Sequence, residues 1–245
     1  MEPATLHYFP LEWPFLLGLF LLFSFLVLLI ELKVLRFAYE RIGIPPRLVL
    51  VILLLTLVGS SINIPLVRLA APKAAPKTAP RLVLRHHRAH YVVPAARPSE
   101  GTIVAINVGG ALIPALLSLY LLVKNHLFVK GALAIAAVAL ITHALATPVR
   151  EVGITLPIFI PPIVAVVCAL VLSWHRAGPL AYVAGSIGTL IGADLMNLGK
   201  IPSLGAPVAS IGGAGTFDAV FLVGIVAVLL SSLVQPKAPR SAYSR

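Results

Sequence analysis

The stretch WPFLLGLFLLFSFLVLLI (Trp13–Ile30) contains no charged residue over eighteen consecutive positions. An α-helix rises about 1.5 Å per residue, so about 20 apolar residues cross the roughly 30 Å hydrocarbon core of a bilayer. Its leucines and phenylalanines run on continuously instead of alternating with polar residues, which disfavours a transmembrane β-strand. The stretch therefore predicts a membrane-spanning helix.

The rest of the chain has the same character. Of the 245 residues, 59% are hydrophobic and 11% are charged, and the mean hydropathy is +1.01. A soluble domain carries about 25% charged residues, so this composition excludes one. The stretches that qualify as spans are Leu11–Leu32, Leu48–Val67, Thr102–Val123, Gly131–Thr147, Leu156–Trp174, Pro179–Leu198 and Thr216–Val234. We therefore expect an all-α integral membrane protein, a single polytopic domain over residues 1–245 with about seven transmembrane helices.

The net charge is +11, and the positions of the basic residues between the predicted spans predict the orientation of the chain. Short cytoplasmic loops are enriched in Lys and Arg. Ten basic residues lie on one side of the predicted spans, namely Lys33, Arg36, Arg41, Arg47, Lys124, Lys130, Arg176, Lys237, Arg240 and Arg245. The short segments on the other side carry only Arg150 and Lys200. The pattern predicts a multi-pass protein of the cell membrane, with its N-terminus outside and its C-terminus in the cytoplasm. It does not indicate nucleic-acid binding.

The long basic segment 68–101 joins the second and third spans and is predicted to lie outside the membrane. It begins with Ala-Pro-Lys repeats at 71–73 and 75–77, which favour an extended polyproline-like linker. Two β-prone runs then flank a polar turn within Arg81–Val93, which predicts a small β-hairpin between helices 2 and 3. A second segment, Gly199–Gly215, is apolar and glycine-rich, which favours a re-entrant loop.

Charged residues at membrane depth are costly and therefore mark functional candidates. Asp194 lies late in the sixth span and Asp218 early in the seventh. Because consecutive spans run antiparallel, both carboxylates are predicted at the same end of the molecule. The same reasoning places further polar residues at that end: Ser60, Ser61, Asn63, Asn107, His143, Arg150, Glu151 and Asn197. Gly188 and Gly192 on the sixth span predict a close approach of a neighbouring helix there.

Three functions fit this arrangement. Two neighbouring carboxyl groups that share a proton can act as general base and general acid, so Asp194 and Asp218 are candidate catalytic residues of an intramembrane aspartyl protease with a transmembrane peptide as substrate. Alternatively, the two aspartates bind a cation or proton in a transporter or channel, together with Asn107, His143, Arg150, Glu151 and Asn197. A structural membrane protein is the third interpretation. No motif indicates a metal or another cofactor, and the pattern leaves the oligomeric state open.

Three motifs carry a resemblance to a known family. Asn107–Pro114 (NVGGALIP), Gly192–Asn197 (GADLMN) and Gly213–Asp218 (GAGTFD) together resemble an uncharacterised family of archaeal and bacterial multi-pass proteins, known as a domain of unknown function. A fainter similarity is to intramembrane aspartyl proteases of the presenilin and signal-peptide-peptidase type. That similarity implies one catalytic aspartate on the sixth span and one on the seventh, at Asp194 and Asp218. In this chain Thr216 and Phe217 separate the last glycine from the acid.

Overall fold

The computed structural model describes residues 13–70, 83–86, 89–92, 101–149, 153–204, 208–213 and 219–234. Within these residues the chain forms seven α-helices: α1 (Trp13–Arg41), α2 (Pro46–Gly59), α3 (Ile113–Asn125), α4 (Phe128–Leu145), α5 (Ile160–Leu172), α6 (Ala177–Thr189) and α7 (Ala219–Val234). The protein is therefore mostly helical, as the composition predicts.

Four helical stretches in the described part of the chain are long and apolar enough to cross a membrane. They are Leu17–Arg41, Val108–Asn125, Phe128–Leu145 and Trp174–Pro202, whereas α2, α5 and α7 are apolar but shorter. These helices are compatible with a location in the membrane. The count of seven crossings stays a prediction.

Short strands connect the helices. They are β1 (Asn63–Leu69), β2 (Val83–His86), β3 (Ala89–Val92), β4 (Thr102–Asn107), β5 (Thr147–Val149), β6 (Gly153–Thr155) and β7 (Val208–Ile211). β1, β4 and β7 form a sheet in that order, with β1 antiparallel and β7 parallel to the central β4. β2 and β3 pair in the antiparallel hairpin that was predicted between helices 2 and 3, and β5 pairs with β6.

The prediction is wrong at the C-terminal end of the second span and at the N-terminal start of the third span. Helix α2 ends at Gly59, and the residues expected to continue it to Val67 form β1 instead. The third helix does not begin at Thr102, because residues 102–107 form β4 and the helical backbone starts at Val108. In β4 the β-branched residues Thr102, Ile103, Val104 and Ile106 favour a strand. A short apolar run does not distinguish a buried strand from a helix by hydropathy alone.

Two prolines inside the predicted fifth span, Pro161 and Pro162, do not kink the described helix. α5 begins at Ile160, so Pro161 and Pro162 occupy its first turn and do not interrupt it. Proline is well accommodated there, since the first amide groups of a helix have no carbonyl partner within the helix. The two prolines therefore mark the start of α5.

Helix α6 is the centre of the bundle. All of its thirteen residues are buried except Pro179 and Ile187. One cluster of buried residues joins α6 to α3 and α7 through Tyr182, Leu121 and Val228, and a second joins it to α4 and α5. By contrast, α1 exposes leucine and phenylalanine side chains along most of its length. Such an apolar surface is expected where lipid is the solvent.

The helix ends define two faces of the molecule. Arg176, just before α6, donates a hydrogen bond to the carbonyl oxygen of Asn125 at the end of α3. The start of α3 and the end of α6 therefore lie together at the opposite face. A π-helical turn extends each of them there, Val108–Leu112 before α3 and Leu190–Asp194 after α6. A 3₁₀ segment, Leu195–Leu204, then leads to β7. Whether the segment 199–215 re-enters the membrane stays a prediction.

Candidate functional site

A polar network connects the three strands of the β1–β4–β7 sheet. Asn107, at the end of β4, is 1% exposed. Its Nδ2 donates to the carbonyl oxygen of Ser60 (2.8 Å) and to Oδ1 of Asn63 on β1 (3.1 Å). Its Oδ1 accepts a hydrogen bond from the amide of Gly110 (2.7 Å), so Asn107 caps the first π-helical turn. Ser210 Oγ on β7 donates to the same Asn63 Oδ1 (2.5 Å). Side chains from three strands are thus fixed against the start of α3.

Asn107→Leu is expected to lower the free energy of unfolding by about 3 kcal/mol. The change leaves the buried Ser60 carbonyl and the Gly110 amide without their partner, and each unsatisfied group is costly. Unfolding in mixed micelles of increasing denaturing-detergent content measures the effect. The matched control is Asn125→Leu, which removes one half-buried bond to the Leu121 carbonyl oxygen (2.9 Å) and is expected to cost about 1 kcal/mol. An equal loss of unfolding free energy in Asn107→Leu and Asn125→Leu would show that the network around Asn107 adds no stability beyond that of one half-buried hydrogen bond.

Asp194 lies at the last position of the second π-helical turn. Its Oδ2 accepts a hydrogen bond from the amide of Gly212, with 2.7 Å between the two atoms. Gly212 follows β7 and has a left-handed backbone (φ +83°), as does Gly213, whose amide donates to the Ser210 carbonyl oxygen (3.1 Å). A Cβ at Gly212 would lie 2.6 Å from the Cβ of Ala111 in the first π-helical turn. The Asp194 carboxylate is therefore anchored on a glycine turn that packs against the start of α3. Single π-helical turns occur frequently at functional sites.

A second polar group, centred on Asn197, lies three residues beyond Asp194. Asn197 is 1% exposed, and its Nδ2 donates to the carbonyl oxygens of Gly192 (3.0 Å) and Ala193 (2.9 Å). The same nitrogen lies 3.2 Å from Nδ1 of His143 at the end of α4. The Asn197 amide nitrogen carries two hydrogens, so its three polar neighbours share two donors. Lys200 Nζ donates to Asn197 Oδ1 (2.8 Å), which brings a positive charge to this group.

Two glycines bring α4 close to the helix that carries Asp194. A Cβ at Gly188 would lie 3.2 Å from the Ile135 carbonyl oxygen, and one at Gly192 would overlap the Ala139 carbonyl oxygen and lie 2.9 Å from Thr142 Cβ. The predicted close approach of a neighbouring helix at Gly188 and Gly192 is confirmed, and α4 is that helix. The contact holds the π-helical turn of Asp194 against the end of α4, where His143 lies.

An apolar cavity of about 220 Å³ lies beside the start of α7. Its wall includes Ala219 and Leu222 of α7, Pro161 of α5, Ile154 of β6, and Pro157 between β6 and α5. The volume is below the 300 to 1,000 Å³ usual for whole-ligand sites. It exceeds the roughly 150 Å³ of an apolar cavity that accepts benzene. The cavity therefore has room for one bulky apolar side chain.

Comparison with known proteins gives one family. The model of a family described as a protein of unknown function, DUF1614, matches residues 57–230. The chain belongs to DUF1614. The matched region begins near the end of α2 and ends within α7, so it contains the sheet, both π-helical turns and all of the polar residues described above. No curated protein and no solved structure matches the chain. The family membership confirms the resemblance to an uncharacterised family but assigns no activity.

The structure brings together some of the site residues that were predicted for this DUF1614 chain. His143 contacts Asn197 directly, and Asn107 contacts Asn63. Asp194 joins the two groups indirectly, because its partner Gly212 packs against the π-helical turn that Asn107 caps. Asp218, Arg150 and Glu151 lie outside the described residues. Within the described part of the chain, no group of three His, Cys, Asp or Glu side chains is arranged to hold a metal ion.

Some site residues of the DUF1614 chain were not found by sequence reasoning. Ser210 and Gly212 take part in the hydrogen bonds around Asn63 and Asp194, and Lys200 binds Asn197. Lys200 carries the single charge of an otherwise apolar, glycine-rich segment, which could have marked it. Gly212 acts through its backbone amide, so a search for polar side chains does not detect it.

Proposed function

We propose that this DUF1614 protein is an intramembrane aspartyl protease in which Asp194 and Asp218 together hydrolyse a peptide bond of a transmembrane substrate. The observation that carries the proposal is the register between α6 and α7. These two helices are neighbours in sequence and pack along their lengths. Their contacts indicate which end of α7 lies near the turn that contains Asp194.

The two helices run antiparallel. A Cβ at Gly178, near the start of α6, would lie 3.8 Å from Ser231 Oγ near the end of α7. Closer to the site, a Cβ at Gly185 would lie 3.2 Å from the Val223 carbonyl oxygen. At the end of this interface, Leu190 and Val220 belong to the same cluster of buried residues. Val220 therefore packs near the π-helical turn Leu190–Asp194, and Asp218 precedes Val220 by two residues in the sequence. This supports pairing of the two aspartates.

The proposed chemistry follows from two carboxyl groups that share one proton. The ionised carboxylate removes a proton from a water molecule, and the resulting nucleophile attacks the carbonyl carbon of the scissile peptide bond. The protonated carboxyl group donates a hydrogen bond to the carbonyl oxygen as negative charge develops there. The C–N bond then breaks, and the leaving amine takes up a proton. The Gly212 amide would hold Asp194 through Oδ2, with Oδ1 outside that bond.

The surroundings of the proposed dyad suit an apolar substrate. Ala219 and Leu222 line the apolar cavity, and Ala219 directly follows Asp218 in the sequence. One bulky apolar side chain of the substrate would fill it, next to the peptide bond to be cut. A transmembrane helix supplies such side chains at every turn, so we propose a membrane-embedded peptide as the substrate.

We also propose the topology that this function needs. The chain crosses the membrane seven times with its N-terminus outside and its C-terminus in the cytoplasm, and the dyad lies toward the external side. The excess of Lys and Arg in the short segments on the other side supports this orientation. The helices α2, α5 and α7 have 14, 13 and 16 residues, so each is shorter than the hydrocarbon core by several ångströms. Water would therefore reach the dyad over a short distance.

Cross-linking tests the proposed pairing. In a Cys168→Ala background, Asp194→Cys with Asp218→Cys is expected to form a disulfide on mild oxidation, because a disulfide needs Cα atoms within about 7 Å. The extent of cross-linking is measured by protease digestion and mass spectrometry. The matched control joins Asp194→Cys to Leu222→Cys, one helical turn further along α7, and is expected to cross-link poorly. A control pair that cross-links as well as the test pair would contradict the register.

Activity is tested on the wild-type chain in liposomes that also contain a transmembrane peptide. Release of peptide fragments is the expected result. The same liposomes, loaded with a pH- or cation-sensitive dye, report ion movement. Ion flux without peptide cleavage would overturn the protease proposal and favour the transporter.

A further inference from the structure

A second cavity lies at the face opposite Asp194. It has a volume of about 490 Å³ and lies between the α3–α4 turn and the connection from α5 to α6. His126, Phe128, Val129 and Lys130 line it from the first segment, and Ser173 and Arg176 from the second. The volume falls within the 300 to 1,000 Å³ of ordinary ligand sites. The proposed protease chemistry does not use this cavity.

The charge of the cavity selects an anion. Lys130 and Arg176 contribute two permanent positive charges, and His126 adds a titratable side chain. No carboxylate is among the described residues that line it. Arg176 uses Nη1 to bind the Asn125 carbonyl oxygen, which fixes the guanidinium at the rim of the cavity. The other N–H groups of an arginine remain suited to bind the oxygens of a phosphate.

The position of the cavity selects a lipid over a soluble anion. Phe128 and Val129 line the same cavity, and their side chains are 53% and 75% exposed. They are also the first residues of Phe128–Leu145, which is long and apolar enough to span the membrane. Basic side chains therefore adjoin exposed apolar side chains at the point where a candidate span begins. A phospholipid matches both, with its phosphate near Lys130 and Arg176 and its acyl chains along Phe128 and Val129.

We propose that this cavity binds the headgroup of an anionic phospholipid from the adjacent leaflet. Electrostatic attraction to the negative leaflet surface contributes a similar amount for each Lys or Arg. Neutralising Lys130 should therefore weaken binding about fivefold, and neutralising both Lys130 and Arg176 about thirtyfold.

Trp174 provides a direct measurement, because it lies between Ser173 and Arg176 in sequence and is 50% exposed. The chain has two tryptophans, so Trp13→Phe leaves Trp174 as the single reporter. The full-length Trp13→Phe protein is reconstituted in phosphatidylcholine with increasing amounts of brominated phosphatidylglycerol, and quenching of Trp174 gives the relative affinity. We expect saturable quenching at a small mole fraction of the anionic lipid, weakened by Lys130→Gln and further weakened by Lys130→Gln with Arg176→Gln.

The matched control removes two basic residues at the same face but outside the cavity, by Lys33→Gln with Arg47→Gln. Lys124 Nζ donates to the Gly43 carbonyl oxygen (2.7 Å), so the α1–α2 turn lies at this face as well. The control should leave the affinity unchanged. An equal loss in the control would overturn the proposal in favour of diffuse attraction. Lys130→Gln keeps the Arg176–Asn125 hydrogen bond, so an unchanged affinity in this variant would also overturn it.

Two further experiments test whether the bound phosphate belongs to an anionic lipid. Brominated phosphatidylcholine, in place of the anionic lipid, should quench Trp174 only in proportion to its mole fraction. Inorganic phosphate at millimolar concentration should not reverse the quenching by phosphatidylglycerol. Equal quenching by both lipids, or reversal by inorganic phosphate, would overturn the assignment to an anionic phospholipid.

Discussion

Asp194→Asn is expected to lower the rate of transmembrane peptide cleavage by about 10³-fold, and Asp218→Asn should cause a loss of the same size. Each change removes one member of the proposed acid–base pair, and such groups contribute about 10² to 10⁴-fold to catalysis. The double variant should be little worse than either single variant, because residues that act as a unit are not additive. Fragment release in liposomes measures all three rates.

The asparagine variants separate chemistry from folding. Asn at position 194 still offers an oxygen to the Gly212 amide, so the hydrogen bond seen at Oδ2 can persist and the unfolding midpoint should change little. The matched control is Glu40→Gln, which neutralises a carboxylate of the Arg36–Glu40 surface ion pair (2.7 Å) and should leave the rate within about twofold, since exposed ion pairs contribute little. Substantial cleavage by either aspartate variant would contradict the dyad.

Much of the helical architecture could be predicted from hydropathy because long apolar runs have few alternatives in a membrane. The sheet could not. Residues 63–67 and 102–107 each belong to an apolar run, so both were assigned to helices, and the pairing of Asn63 with Asn107 became visible only in the structure. In a soluble protein, alternating polar residues would reveal such strands. Here the apolar surroundings remove that signal.

The grouping of polar residues at one end of the molecule could be predicted from the sequence. It depends on the direction of each span and not on where each helix begins or ends. Antiparallel neighbours return a late residue of one span and an early residue of the next to the same face. That argument grouped His143 with Asn197, and the structure places His143 Nδ1 3.2 Å from Asn197 Nδ2. It could not supply the detailed geometry. The position of Asp194 depends on a π-helical turn and on the left-handed backbone of Gly212, and neither has a distinct hydropathy pattern.

Helix packing also explains why the site is at this end. The helix that carries Asp194 meets α4 through Gly188 and Gly192. Where a glycine removes the side chain, two backbones approach closely and polar atoms from both helices come within hydrogen-bonding distance. The Gly192 carbonyl oxygen accepts from Asn197 (3.0 Å), and the same Asn197 contacts His143 of α4. Close packing at Gly192 and the polar group around Asn197 are therefore expected to fail together.

Gly192→Ala is accordingly expected to lower the free energy of unfolding by about 3 kcal/mol, because overpacking against a backbone atom is costly. The added Cβ would overlap the Ala139 carbonyl oxygen of α4, which cannot move without disturbing that helix. The matched control is Gly199→Ala in the following 3₁₀ segment, where a Cβ would meet no atom within 4 Å, and its stability should be unchanged. Both are measured by unfolding in mixed micelles. Separating α4 from the turn that contains Asp194 should also reduce peptide cleavage in Gly192→Ala, even at temperatures where the variant stays folded. A Gly192→Ala protein as stable and as active as Gly199→Ala would show that this close contact does not position the aspartate.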